Sequence, residues 1–131
     1  MEKKIGVILV GHGSKEPYNK NAIKYFAKKI EGKYPYVGYA FIQIDEPSLE
    51  KALVEAVESG VEELIIQPVF LTRGIHVDHD IPKIVGLPAG EKSGNLEFGE
   101  RKVRIVLSDP IGEDDRIVEI LADRIGRALK V

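Results

Sequence analysis

Four apolar runs, each followed by a stretch with helical periodicity, recur along the chain. The runs are rich in aliphatic and β-branched residues without polar alternation, which is typical of strands buried on both faces. They predict strands at residues 5–10, 37–44, 64–71 and 102–107. Because strands that alternate with helices are joined by right-handed crossovers, we predict an α/β fold. We expect a three-layer sandwich, in which a four-stranded, mainly parallel sheet carries helices on both faces.

Apolar residues at helical spacing mark the segments between the strands. Helices are predicted at residues 18–31, from Ser48 to just before Gly60, and at residues 82–85 and 114–129. The last helix is expected to pack inward through one apolar face: Ile117, Val118, Leu121, Ile125 and Ala128. Residues 87–100 are rich in glycine and polar side chains and lack apolar periodicity, so we predict a loop there.

The bulk properties of the chain exclude several classes of function. Its 131 residues suit one domain over residues 1–131 that buries its own core. The 19 basic and 21 acidic residues form no basic stripe, which leaves binding to nucleic acid or to a membrane surface without electrostatic support. The absence of cysteine excludes disulfides and thiolate metal sites. No apolar run suits a membrane span or a signal peptide, and we expect a cytoplasmic location.

All three histidines of the chain follow predicted strands. His12 lies between two glycines after the first strand, and His76 and His79 follow the third. If the strand order is of the flavodoxin type, the first and third strands are neighbours, and their exits flank the crevice where such sheets bind ligands. Imidazole is well suited to bind a divalent transition metal and to move protons near neutral pH. His12 and His76 are therefore expected on either side of this crevice.

Each residue near the crevice has an alternative interpretation. His12 is either a ligand or a turn residue that bonds a backbone carbonyl. His76 is a better candidate ligand than His79, which fits a solvated position in a first helical turn. Asp78 and Asp80 are more typical of helix capping, although either could orient an imidazole.

Three polar residues beside the histidines could bind carboxylate groups of a substrate: Ser14, Lys15 and Arg73. Lys15 with Glu16 also fits a plain solvated pair. A histidine phosphatase is disfavoured, because it would carry an arginine where this chain has Gly11. A hydrolase that uses Ser14 as its nucleophile is disfavoured too, because Ser14 lies outside a Gly-x-Ser-x-Gly elbow and has no placed acid partner.

Four segments carry a family resemblance: residues 9–14, residues 68–71 running into 74–76, residues 80–82, and residues 110–112 with Asp115. Together they resemble the short archaeal-type sirohydrochlorin cobaltochelatases, relatives of the class II, ATP-independent tetrapyrrole chelatases. The resemblance covers residues 5–129, nearly the whole chain. It implies a chelatase-like fold equivalent to one lobe of a two-lobed chelatase. It also implies a homodimer with the active site in the cleft between the subunits.

Carried over by position, the resemblance identifies His12 and His76 as the catalytic and metal-binding residues. It implies ATP-independent insertion of a divalent metal, cobalt first, into sirohydrochlorin during cobalamin biosynthesis. No cofactor is expected beyond the substrate metal ion. Many relatives carry a glutamate where this chain has Gln43, a poorer metal ligand that cannot accept a proton.

Two kinds of alternative function remain at this point. Nickel insertion for the methanogen nickel coenzyme and iron insertion for sirohaem use the same chemistry, and imidazoles do not choose sharply among these ions. A non-catalytic carrier of metal or tetrapyrrole is more distant, and single-turnover mixing would distinguish it, since a carrier would not accelerate metal insertion.

Overall fold

The computed structural model describes residues 3–130, which contain one five-stranded sheet in the order β2-β1-β3-β5-β4. The strands are β1 (Ile5–Gly11), β2 (Tyr36–Phe41), β3 (Glu63–Pro68), β4 (Ser93–Phe98) and β5 (Arg101–Leu107). Strands β2, β1, β3 and β5 run parallel, whereas β4 pairs antiparallel with β5. The predicted α/β class and the adjacency of β1 and β3 are confirmed.

Strand β4 overturns the prediction of a loop over residues 87–100. It forms a hairpin with β5, in which Phe98 pairs with Arg101 across a turn that contains Gly99 at φ +64°. Leu96 and Phe98 pack against the core, while the residues between and before them are polar or small. Two apolar residues are too few to reveal a period of two, so the strand is hidden in the sequence. The sheet accordingly has five strands rather than four.

Helices cover both faces of the sheet. They are α1 (Tyr18–Ile30), α2 (Leu49–Glu58), α3 (Ile81–Val85) and α4 (Asp115–Leu129), and a π-helical turn (His76–Asp80) precedes α3. Helix α1 buries Ile23 and Ala27 on one face, and α2 and α3 pack into the larger core on the other. No helix within residues 3–130 is long and apolar enough to cross a membrane.

Helix α4 does not pack inward as predicted. No residue of this helix is buried, and Val118, Leu121, Ile125 and Leu129 are 56–81% exposed. The helix itself forms as expected, with the Asp114 carboxylate accepting a hydrogen bond from the Arg116 amide at 2.9 Å. The amphipathic pattern is thus present, but no segment of residues 3–130 buries its apolar face.

Candidate active site

The loops that carry His12 and His76 leave the sheet side by side. In the parallel register, Val10 of β1 lies opposite Pro68 of β3. The Val69 amide donates to the Val10 carbonyl at 2.8 Å, which continues the pairing to the edge of the sheet. Both chains therefore turn into their loops at the same level, and ligands bind at this edge in α/β sheets.

The two imidazoles meet at their Nε2 atoms, which are 3.0 Å apart. Their ring centroids are 4.6 Å apart and the ring planes are inclined at 73°. The Phe70 ring lies 6.2 Å from each imidazole centroid and forms an apolar wall beside the pair. His12 is exposed and His76 is half-buried, so the pair faces outward from the sheet edge.

The second nitrogen of each ring has its own partner. Nδ1 of His12 lies 2.9 Å from the Gly13 carbonyl oxygen, and Nδ1 of His76 lies 2.6 Å from Oδ2 of Asp80. A carbonyl and a carboxylate only accept hydrogen bonds, so Nδ1–H is the donor in both contacts. In each neutral ring the lone pair is then on Nε2. Two such lone pairs at 3.0 Å require a proton or a cation between them.

The separation of the Nε2 atoms allows both to bind one divalent ion. A nitrogen ligand binds such an ion at about 2.1 Å, so one ion can contact two nitrogens that lie 3.0 Å apart. The two imidazoles can therefore share a single metal ion.

The remaining metal ligands would not come from a larger side-chain cluster. Residues 3–130 contain no group of three or more His, Cys, Asp or Glu side chains placed to hold a metal ion. A metal bound to the two imidazoles keeps its other coordination positions available to incoming ligands.

Asp80 orients His76, which is the less favoured of the two interpretations from sequence. Its carboxylate reaches the ring across the π-helical turn, from a position four residues further along the chain. π-Helical turns are rare and frequently occur at functional sites. No side-chain capping bond forms at the start of α3, so the expectation of helix capping by Asp80 is wrong.

The other two residues of this turn have different positions. Asp78 pairs with Arg73 at 3.1 Å instead of capping a helix. His79 is exposed, and its side chain makes no hydrogen bond to the rest of residues 3–130. This matches the solvated interpretation of His79 and does not bring it to the imidazole pair.

Two glycines fix the loop around His12. A Cβ at Gly11 would lie 2.7 Å from the Ile23 side chain. Gly13 has φ +89°, and a Cβ there would lie 1.8 Å from the Gln43 carbonyl oxygen. The Gly13 amide donates to Asn19 at 3.1 Å, which ties the loop to α1. The loop is therefore wedged between α1 and the segment that follows β2.

The predicted carboxylate-binding residues lie at the same edge but differ in their contacts. The Ser14 amide donates to Oδ2 of Asp45 at 2.9 Å, and the Ser14 hydroxyl accepts from the Glu16 amide at 3.2 Å. Lys15 is exposed. The backbone amide of Gln43 donates to the His12 carbonyl at 3.3 Å.

Arg73 belongs to a charged network that the sequence does not reveal. It contacts Asp78 and Asp109, and Lys92 donates to Asp109 at 2.9 Å. The hydrogen bond with Asp78, and then that with Asp109, raises the pKa of Arg73. The hydrogen bond from Lys92, and then that from Arg73, lowers the pKa of Asp109. Lys92 lies in the segment predicted as a loop, so the sequence does not indicate its contact with Asp109.

Comparison with known proteins identifies the family. The CbiX family model matches residues 6–128. The chain is 41% identical to a sirohydrochlorin cobaltochelatase of Methanothermobacter thermautotrophicus, over 96% of this chain and 94% of that protein. It is 35% identical to a protein of the same name from Methanopyrus kandleri, over 95% and 97% of the two chains.

Two solved structures share the fold. The sirohydrochlorin chelatase SirB from Bacillus subtilis subspecies spizizenii, in complex with cobalt, gives a TM-score of 0.78 at 23% identity, over 95% of this chain and 50% of SirB. A cobalamin biosynthesis CbiX protein from Marinobacter aquaeolei gives a TM-score of 0.68 at 23% identity, over 96% and 98% of the two chains. The resemblance found in the sequence is confirmed by the family match, and the chain belongs to the CbiX family.

Proposed function

We propose that this chain inserts a divalent metal ion, cobalt first, into sirohydrochlorin during cobalamin biosynthesis without ATP. The observation that carries the proposal is the pair of Nε2 atoms 3.0 Å apart at the carboxyl edge of the sheet. Relatives named sirohydrochlorin cobaltochelatase, at 41% and 35% identity over nearly their full lengths, support the same reaction.

Metal insertion exchanges two pyrrole N–H protons for one divalent cation. His12 and His76 bind the ion through their Nε2 lone pairs and release it to the ring nitrogens, which displace them from the metal. The imidazoles then have free lone pairs, and each accepts one of the two pyrrole protons before passing it to water. The carboxylate of Asp80, 2.6 Å from His76, stabilises the imidazolium formed there. The residues of this chain thus supply both metal delivery and proton transfer.

The choice of cobalt rests on the relatives named sirohydrochlorin cobaltochelatase. Imidazole nitrogens bind cobalt, nickel and ferrous ions without a sharp preference. Nickel insertion for the methanogen nickel coenzyme, or iron insertion for sirohaem, therefore remains the alternative with the same chemistry. The substrate metal is the only inorganic group in the proposal, which includes no further cofactor.

The acidic side chains of sirohydrochlorin need cationic and amide partners. Lys15 is exposed beside His12 and is available to a substrate carboxylate. Arg73 would exchange its contact with Asp78 or Asp109 for one with the substrate. Ser14 lies in the same loop as His12, and its hydroxyl offers a further contact. All three are proposed as substrate-binding residues.

We also infer a homodimer, from two apolar surfaces that remain exposed in the part of the chain that the structure describes. One is the exposed stripe of α4. The other is a groove of about 580 Å³ on the α1 side of the sheet, lined by apolar residues that include Tyr25, Phe26, Ile30, Val69 and Ile111. The free energy of covering each large aliphatic residue is about 1.5–3 kcal/mol. A second copy that lays its α4 in this groove would bury both surfaces at once.

The direct test is metal insertion followed by absorbance. Sirohydrochlorin is mixed with cobalt, nickel or ferrous ion in parallel, with and without the protein, in single-turnover and multiple-turnover formats. We expect acceleration with cobalt over the uncatalysed rate and repeated turnover. An unchanged insertion rate would assign the protein to the non-catalytic carriers. Faster insertion of nickel or iron than of cobalt would favour the alternative metals. The cytoplasmic location stays a prediction, checked by fractionating the source cells.

A further inference from the structure

Ile44 has an unusual backbone conformation. Among residues 3–130 it is the only residue other than glycine with a positive φ, at +67°. The Asp45 amide donates to the Gln43 carbonyl at 2.7 Å, which closes a γ-turn with Ile44 at its centre. A β-branched side chain makes this conformation costly, and such strain persists only where the surroundings impose it.

The strained turn is built onto the loop of His12. The Gln43 amide donates to the His12 carbonyl at 3.3 Å, and the Asp45 carboxylate accepts from the Ser14 amide at 2.9 Å. Gly13 lies so close to the Gln43 carbonyl that no side chain fits between them. These three contacts hold the turn and the metal-binding loop in one fixed arrangement.

Packing of the Ile44 side chain does not explain the strain. Ile44 is 60% exposed, whereas Ile42, two residues earlier, packs against the core. The backbone of Ile44 is therefore in an unfavourable conformation, although its aliphatic side chain gains little burial within the chain. Ile75, which directly precedes His76, is 67% exposed in the same way. An aliphatic side chain in solvent accompanies each of the two imidazoles.

We propose that Ile44 is a substrate-contacting residue that packs against one face of the tetrapyrrole macrocycle while the imidazoles reach its centre. The inference rests on the proposed function, since it takes a flat ring with apolar faces as the occupant. The acidic side chains lie at the edge of such a ring, whereas its faces are apolar around the metal-accepting centre. An exposed aliphatic residue on the turn beside the His12 loop, and another directly before His76, suit contact with such a face. Ile75 is its expected counterpart beside His76.

The test compares Ile44→Gly with the wild type. Glycine removes the side chain and adopts a positive φ without strain, so we expect the melting temperature to rise. We expect the Kd for metal-free sirohydrochlorin, measured by absorbance titration, to increase about tenfold, because an apolar contact is lost. Ile44→Asn, which tolerates the same backbone but carries a polar side chain, should weaken binding similarly. Val54→Ala removes a comparable exposed residue from α2 and should leave the Kd unchanged.

Three outcomes would overturn the inference. The first is an unchanged Kd in Ile44→Gly and Ile44→Asn. The second is a fall in the melting temperature of Ile44→Gly, which would make the side chain structural. The third is an equal loss of cobalt binding in the absence of the ring, which would mean that the turn only positions His12. If the wild type neither binds nor metallates sirohydrochlorin, the proposed function itself fails, and this result is distinct from all three.

Discussion

The carboxyl edge of the sheet and the C-terminal helix differ in how far their side chains find contacts within one chain. At the edge, His12 and His76 already meet within one chain, and hydrogen bonds orient both rings. Helix α4 forms its full length and caps its first turn, yet none of its residues is buried. The difference agrees with the proposed homodimer, because one chain brings the two imidazoles together but leaves the apolar face of α4 for a second copy to cover. Substitutions in the two regions should therefore separate chemistry from assembly.

The largest effect is expected from His76→Ala. Under the proposed function, the substitution removes one of two metal ligands and one proton acceptor, and general acid–base groups contribute about 10²–10⁴-fold to rate. Cobalt insertion should fall by this factor, measured by absorbance, while the circular dichroism spectrum and the oligomeric state stay unchanged. His79→Ala is the matched control and should retain nearly full activity. An equal loss of cobalt insertion in both variants would contradict the assignment of a catalytic role to His76 and not to His79.

A smaller but distinct effect is expected from Leu121→Glu in α4. A charge in the apolar stripe would prevent burial of that face, and the dimer dissociation constant should rise about tenfold or more. Light scattering after size-exclusion chromatography measures the change in mass. The same substitution at Val54, which is 52% exposed on α2, should leave the assembly intact. If the wild-type chain is monomeric at all concentrations, the proposed dimer, in which α4 of one copy lies in the groove of the other, is wrong. That result would indicate that α4 packs into the groove of its own chain.

Replacement of Asp80 tests whether its hydrogen bond orients the imidazole of His76. Asp80→Ala should weaken cobalt binding by about 10–100-fold, because the Nδ1–H of His76 loses its acceptor. Asp80→Asn should be milder, since its amide oxygen still accepts that hydrogen bond. Asp78→Asn, two residues away, should change metal affinity little, because Asp78 contacts Arg73 instead. Isothermal titration with cobalt ranks the variants, and equal affinities across the three would refute a role for Asp80 in positioning.

The smallest effect concerns Asp109, which lies between the site edge and α4. Its folded-state pKa is lowered, first by Lys92 and then by Arg73, so its network stabilises the fold above the ordinary pKa of aspartate, about 3.9. This contribution is lost as the pH falls through the lowered pKa. Asp109→Asn should therefore melt slightly below the wild type at pH 7, and the difference should vanish in strong acid. A constant difference across this range would mean that ionisation of Asp109 is not the cause.

The sequence allowed the edge region to be predicted well, because its signals are local. Continuous apolar runs identified the parallel strands, and glycines around His12 marked a sharp turn that the contacts of Gly13 require. For Asp80 the sequence allowed two interpretations, helix capping or orientation of an imidazole. A π-helical turn has no residue spacing that distinguishes it in the sequence from the start of an ordinary helix. Capping and ring orientation use the same residue types.

The α4 region was harder to predict for a different reason. An amphipathic pattern predicts that the apolar face of a helix is buried, but it does not indicate whether the same chain or a second chain buries it. The inward packing predicted for Ile125 and its neighbours is wrong within one chain for this reason. Strand β4 escaped prediction because an edge strand with two apolar residues resembles a polar loop.

Gly13 places a severe limit on how the sequence of this protein can change. Any side chain at that position would collide with the carbonyl of Gln43 and push apart two loops that hydrogen bonds hold together. One loop bears an imidazole and the other bears Ile44, so a single added methyl group would disturb both together. Even the smallest replacement, Gly13→Ala, should therefore be among the least tolerated substitutions in the chain.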